Sequence, residues 1–258
     1  MPAMPPWPAI PLPAIPSGYK HRQPASCLVA AILLVIAPRP MQAGSLGEQL
    51  AAVAAAARFP SPTRADVRLE CSDGCRTRRA VLLGRGDVLY VETKDGMRAL
   101  VRPGDVLMAE AAHARPAPLD ARLGDTSVLL RDLAVFTPAS LALPQLSDDG
   151  PAGIVVTSAP AARAPYVLLV HTIDRERRAI VKTQYYTDSI GHLTKIRRDG
   201  GFSRVGGHWR PGEITVETFE PAGTTHLKLA WREIPDPPAI LFEPAGLERP
   251  SGLAWPGD

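Results

Sequence analysis

Two runs near the C-terminal end set the tightest limit on the fold. In "EITVETF" (213–219) Ile214, Val216 and Thr218 fall on one face, and Glu213, Thr215, Glu217 and Phe219 on the other. In "TTHLKLAWR" (224–232) Leu227, Leu229 and Trp231 share a face, and His226, Lys228, Ala230 and Arg232 the other. Successive side chains of a strand point to opposite sides of the sheet, so this alternation requires strands with one buried face. That face either closes an ordinary core or lines a cavity.

Similar runs recur along the chain. Strands are predicted over 65–71, 75–83, 87–92, 96–102 and 104–110, and again over 165–174, 178–187, 190–198, 202–205, 212–219 and 224–232. Turn residues such as Asp95-Gly96, Gly104-Asp105, Asp199-Gly200-Gly201 and Gly206-Gly207 separate them, the mark of an antiparallel meander. One helix is predicted first. Ser45 and Glu48 have capping-box spacing, and Leu46, Leu50, Val53 and Ala57 recur on one face. Pro60 and Pro62 in "FPSPT" stop it. The pattern breaks over 111–163, where "ARPAPLDARLGD" and "LPQLSDDGPAG" read as loops. Between them, "TSVLLRDLAVF" (126–136) places Leu129, Leu133 and Phe136 at i, i+4 and i+7, a short amphipathic helix inserted as a lid or as packing over an open sheet end. No internal repeat or long linker divides the chain. Residues 44–258 are expected to form one mainly β domain, a strongly curved antiparallel sheet with a few helices.

Charge and composition narrow the partners. Residues 1–43 hold Lys20, Arg22 and Arg39 and no acid. Without these three the remaining chain carries 26 basic and 26 acidic residues, so its charge gives no case for nucleic acid. The run "CLVAAILLVIA" (27–37) follows Lys20 and Arg22 and is too short to span a bilayer as a helix. It suits the core of a cleavable signal peptide, with cleavage after Ala43 and a Pro-rich segment ahead of it. The expected compartment is the periplasm. There, Cys71 and Cys75 of "CSDGC" flank a turn between two strands, close enough for a disulfide. With no second cysteine pair and no close histidine pair, no metal site is expected.

Catalytic motifs are missing. The six histidines are scattered, with no H-E-x-x-H, and no G-x-S-x-G occurs. His171, His192 and His226 lie within strands, where the solvent face is the default. Lys195, Arg197, Arg198, Arg204 and Arg210 read as a solvated sheet face. No nucleophile, base and orienting group come together, and neither an enzyme nor a cofactor is expected.

The run from "YVLLVHTIDRERRAIVKTQYYTDSIGHLTKI" through "GGHWRP" to "TTHLKLAWREIPD", with "DTSVLLRDL" upstream, resembles the outer-membrane lipoprotein-sorting protein family. These are periplasmic relatives of the LolA and LolB lipoprotein carriers. The similarity follows residues 45–250 in order of elements and is specific around 126–133 and 183–231. It implies a half-open β-barrel whose concave apolar face, closed by helices and loops, takes acyl chains of lipoproteins or related lipids. On that reading Ile214, Val216, Leu227, Leu229, Trp231 and Tyr185 line the cavity, and Leu129, Leu133 and Phe136 belong to the lid. The implied role is a monomeric carrier or acceptor between an inner-membrane exporter and an outer-membrane acceptor. The alternative is a lipid-sensing regulator on the same fold. Such regulators carry a second C-terminal domain, and this chain ends soon after its sheet, which favours the carrier.

Overall fold

The structure is a computed structural model, and it describes residues 44–72, 74–110, 113–188 and 191–255. The expected signal segment and the cleavage point expected after Ala43 lie outside these residues.

Helix α1 (Leu46–Ala57) opens on the expected cap: Glu48 N donates to Ser45 Oγ at 3.3 Å, and Ser45 N to Glu48 Oε2 at 2.7 Å. "FPSPT" ends the helix but is not a loop. It begins strand β1 (Phe59–Cys71), and its prolines fall where pairing with the next strand slips register, between Phe59 and Thr63. A missing N–H is tolerated at such an irregularity.

Strands β2 (Arg79–Gly86), β3 (Val88–Thr93), β4 (Arg98–Arg102), β5 (Asp105–Glu110) and β6 (His113–Pro116) continue as an antiparallel meander. Beyond a crossing segment come β7 (Leu141–Asp149), β8 (Gly153–Pro160), β9 (Leu168–Asp174), β10 (Ala179–Tyr186) and β11 (Leu193–Gly200). A two-stranded ribbon, β12 (Ser203–Val205) and β13 (His208–Arg210), precedes β14 (Glu213–Phe219) and β15 (Ala222–Glu233). Apart from the ribbon, thirteen strands form one sheet in the order β6-β5-β4-β3-β2-β1-β15-β14-β11-β10-β9-β8-β7, and every neighbouring pair is antiparallel. β15 pairs with β1 and so joins the two meanders. The edge strands β6 and β7 are not paired with each other, and the curved sheet stays open like half a barrel.

Residues 117–140 run from one edge to the other across the concave face. The amphipathic helix expected over 126–136 is a single 3-10 turn, Leu130–Leu133. The buried apolar residues are Val128, Leu130, Leu133 and Val135, not the helical set of 129, 133 and 136. Side-chain to backbone bonds compete with the helix: Thr126 Oγ1 donates to Leu123 O at 2.8 Å, and Asp132 Oδ2 accepts from Leu129 N at 3.3 Å. "LPQLSDDGPAG", read as a loop, contains edge strand β7. Its side chains beyond Ala142 are exposed, so it has no apolar alternation to read.

The expected disulfide joins Cys71 and Cys75, with Cα atoms 5.4 Å apart. Gly74 takes φ +76° in the turn, which suits a residue without Cβ. Cys75 precedes the strand rather than starting it: β2 begins at Arg79, and Asp125 clamps the intervening link by accepting from Arg76 N (2.7 Å) and Thr77 N (3.0 Å).

The sheet is covered on both sides. On the concave side α1 packs Leu50 and Val53 against Leu141, Ile154, Val156 and Ile173. On the convex side the C-terminal segment turns through Ala239–Phe242 and Pro244–Leu247, and sets Leu241, Phe242 and Leu247 on Val81, Leu83, Tyr90 and Leu100. Buried Glu92 anchors this segment by accepting from Ser251 and from Tyr90 Oη (3.1 Å), and Arg64 donates to Ala254 O.

Candidate functional site

Strand register places two kinds of side chain on the concave face. Reading across the sheet, Leu229 of β15 stands opposite Val67 of β1, Trp231 opposite Ala65, and Ala65 opposite Leu82 of β2. With Leu89 and Val101 on β3 and β4, this flank is aliphatic and aromatic. Gly84 makes room for a ring here: a Cβ on it would stand 2.4 Å from Phe59. The other flank is polar. His171 on β9 faces Thr183 on β10, Thr183 faces Arg197 on β11, and Tyr185 faces Lys195. Between the flanks and beneath α1 and residues 131–141 lies a cavity of about 460 Å³.

The polar flank is a network with little access to water. Lys195 Nζ donates to Asp132 Oδ2 and Tyr166 Oη, and lies 4.1 Å from the Tyr185 ring centroid. Burial lowers the Lys195 pKa, and the Asp132 carboxylate opposes that shift. Arg197 grips Asp199 through Nε and Nη2, both at 2.7 Å, and donates Nη1 to Asp132 O. Burial acts to lower the Arg197 pKa, but the Asp199 carboxylate wins and holds it above its usual value. Asp132 thus ties the crossing segment to β11 by side chain and main chain. Burial also raises the phenol pKa values of Tyr166 and Tyr185, which the Asp132 charge reinforces.

His171 is 7% exposed. Its Nδ1 shares a hydrogen bond with Thr183 Oγ1 at 3.0 Å, and its Nε2 has no partner among the described residues. Burial, and next the Arg197 charge, push its pKa down to about 4, so the ring is neutral at physiological pH. Arg210 lies elsewhere on the lining. It reaches the C-terminal end of α1, donating to Ala56 O (3.2 Å), Ala57 O (2.8 Å) and Arg58 O. Its guanidinium sits 4.3 Å from the Phe59 ring centroid. Phe59 in turn tilts against Trp231 at 5.7 Å, and Trp231 Nε1 donates to Pro211 O at 2.9 Å.

Ile214, Leu229, Trp231 and Tyr185 line the cavity, as do Leu133 and Phe136 of the crossing segment. Val216 and Leu227 do not: they are buried in the aliphatic core beside it. Ser127 explains why, since its N and Oγ bond to Thr225 Oγ1 at 3.1 and 2.9 Å and pin the crossing segment over that end of the face. Leu129 is also off the lining. Two readings are corrected. His171 is buried within the fold, not on a solvent face, whereas His226 is exposed. Lys195 and Arg210 are buried as well, and only Arg198 and Arg204 of their group are fully at the surface. Strand parity carries a signal for this: Lys195 and Arg197 share parity on one strand, with Arg198 on the opposite face. Without the pairing order, nothing tells which face is inward. Among the described residues no three His, Cys, Asp or Glu side chains stand together as a metal site.

No protein-family model matches the chain, and no curated protein matches it. Solved structures do. An outer membrane lipoprotein-sorting protein domain from Vibrio parahaemolyticus superposes with a TM-score of 0.63 at 15% identity, over 79% of this chain and 98% of that one. A LolA superfamily protein from Nitrosomonas europaea gives 0.59 at 18% identity, over 76% and 96%. A DUF1329 family protein from Desulfovibrio piger gives 0.59 at 13% identity, over 78% and 97%. At these identities the likeness is one of fold, and by it the chain has the fold of the LolA superfamily and of the outer membrane lipoprotein-sorting domain.

Proposed function

We propose that this chain is a periplasmic carrier or acceptor that holds the acyl chains of a lipoprotein or another lipid in its cavity, for transport toward the outer membrane. On this reading it takes cargo from an inner-membrane exporter and passes it to an outer-membrane acceptor.

The cavity itself carries the reading. Protein interiors pack to crystal density with few voids larger than a water molecule. An empty space of about 460 Å³ would cost on the order of 10 kcal/mol at the rate measured for core cavities, roughly the whole net stability of a domain. Such a space is a container kept filled by water or by a guest. Its size falls in the range of about 300–1,000 Å³ usual for small-molecule sites. One flank is aliphatic and aromatic, which suits an acyl chain. The other is charged and hydrogen-bonded, and tethers the cover. The fold is shared with a lipoprotein-sorting domain.

Native mass spectrometry of protein purified from the periplasm tests this directly, with a co-purifying lipid as the expected result. Trp209 and Trp231 line the cavity, so their fluorescence should shift to the blue as an acyl chain replaces water. Protein that carries no lipid and whose emission ignores added acyl chains would refute the reading.

A further inference from the structure

Arg210 differs from the buried cations Lys195 and Arg64 and from the half-buried Arg197. Lys195 is paired with Asp132, Arg197 with Asp199, and Arg64 with Asp66. Arg210 is 5% exposed, has no carboxylate within ion-pair distance among the described residues, and its Nε has no hydrogen-bond partner. The three carbonyls it contacts, two in the last turn of α1 and one on its C-cap Arg58, offer the partial negative charge of a helix end, about half a unit. Burial lowers its pKa to about 10, which leaves it a cation at neutral pH. A buried charge without a full counterion is expensive, and a cavity is where a counterion can come and go.

The rest of the lining has the same bias. Arg131, Arg163 and Arg178 also line the cavity and make no ion pair among the described residues. Of the lining carboxylates, Asp132 and Asp199 are already taken by Lys195 and Arg197, which leaves Asp105. This cationic surplus sits in a chain that is balanced outside residues 1–43. Arg210 also stands where the apolar flank begins: its guanidinium lies on the Phe59 ring, and that ring on Trp231. A guest with its chain along Phe59, Leu82 and Leu229 would bring its head to this guanidinium.

We propose that the cavity selects acyl chains that carry an anionic head, a carboxylate or a phosphate ester, and that Arg210 receives that head. This rests on the acyl-binding reading above and adds the sign of the head.

The test titrates the protein with four amphiphiles of one chain length, below their aggregation limits: hexadecanoate, hexadecyl phosphate, hexadecanol and hexadecyltrimethylammonium. Both anions are expected to bind at least tenfold more tightly than the alcohol, and the ammonium more weakly than the alcohol. Arg210→Gln should bring the anion-to-alcohol ratio to within about twofold while alcohol binding persists. A preference for only one anion identifies the head as fatty-acid-like or phosphate-like within the proposal. If the wild type binds alcohol and anions alike, or R210Q keeps the ratio, the proposal is overturned and the acyl-binding reading stands. If no amphiphile binds, that earlier reading fails instead. Arg131→Gln and Arg178→Gln remove cations at less buried positions. Should either of them erase the preference, the head sits elsewhere on the lining and the assignment to Arg210 is overturned. Should R210Q fail to fold, these two variants and the wild-type ratio still decide the matter.

Discussion

Leu227 and Leu229 lie two residues apart on the same face of β15, yet only Leu229 borders the cavity. Leu227 is 1% exposed and faces Ile214 and Leu69 across its neighbouring strands, and Leu229 is 8% exposed and faces Val67. Truncating Leu227 to alanine opens a void in a closed core. It forfeits both the transfer term and the packing around the removed atoms, and should cost about 2–5 kcal/mol. Truncating Leu229 enlarges a space that already exists. Part of that side chain has no protein neighbour to lose, so the cost should be about 1–2 kcal/mol, mostly the share of its surface packed on β1. Urea unfolding of Leu227→Ala and Leu229→Ala at equal protein concentration measures the difference, with the slope checked for constancy. Aspartate sharpens the contrast. In the closed site it has no water or partner and should abolish folding. At Leu229 it can keep hydration from the cavity and should leave a folded protein that no longer binds acyl chains. Equal losses for the two alanine variants, or outright unfolding of Leu229→Asp, would show that the face is an ordinary core and refute the cavity reasoning.

Three further outcomes are expected. Lys195→Met strands the buried Asp132 carboxylate and should cost about 3–5 kcal/mol, while Lys195→Met with Asp132→Leu recovers most of it; additive losses in this double-mutant cycle would contradict a coupled pair. His171, with a folded pKa of about 4 against about 6.5 unfolded, binds fewer protons in the folded state between those values, so stability is full above about pH 6.5 and falls as pH drops toward 4. Between pH 7.5 and 5 the loss should be about 2 kcal/mol, and His171→Gln should remove that part of the slope; an unchanged slope in denaturant titrations counts against it. The exported protein should begin near Gly44 with Cys71 and Cys75 joined, which N-terminal sequencing and non-reducing peptide mapping would check; a full-length chain or free thiols would contradict it.

Much of this architecture was legible because one-sided burial writes itself into alternation. β14 and β15 have an apolar face set against a polar one, and the sequence shows both. The Ser45–Glu48 cap and the "CSDGC" turn are equally local, so their chemistry needs no tertiary partner to be recognised. What failed was decided by tertiary contacts. β7 is held by backbone bonds to β8 and exposes its side chains, including Leu143 at 82%, so its letters look like a loop. The 126–136 segment carries enough apolar residues for a helix. Lys195, Arg197 and Thr225 hold it instead in an extended path with one 3-10 turn. The polar flank leaves the weakest trace in the sequence, because His171, Lys195 and Arg210 are residue types normally found outside. Their burial depends on partners 12 to 154 positions away in the chain.

The C-terminal segment gives the two halves of the sheet different mechanics. β2, β3 and β4 are buried on both faces, by the cavity side and by this strap, whereas β8 alternates and β7 is exposed beyond Ala142. A sheet clamped in this way is a stiff plate at one end and a compliant leaf at the other. Any change of volume needed to admit a guest will be taken up in the leaf, through small local openings that leave the plate intact. Amide hydrogen exchange should therefore show β2–β4 opening only with the whole molecule and β7–β8 opening on their own.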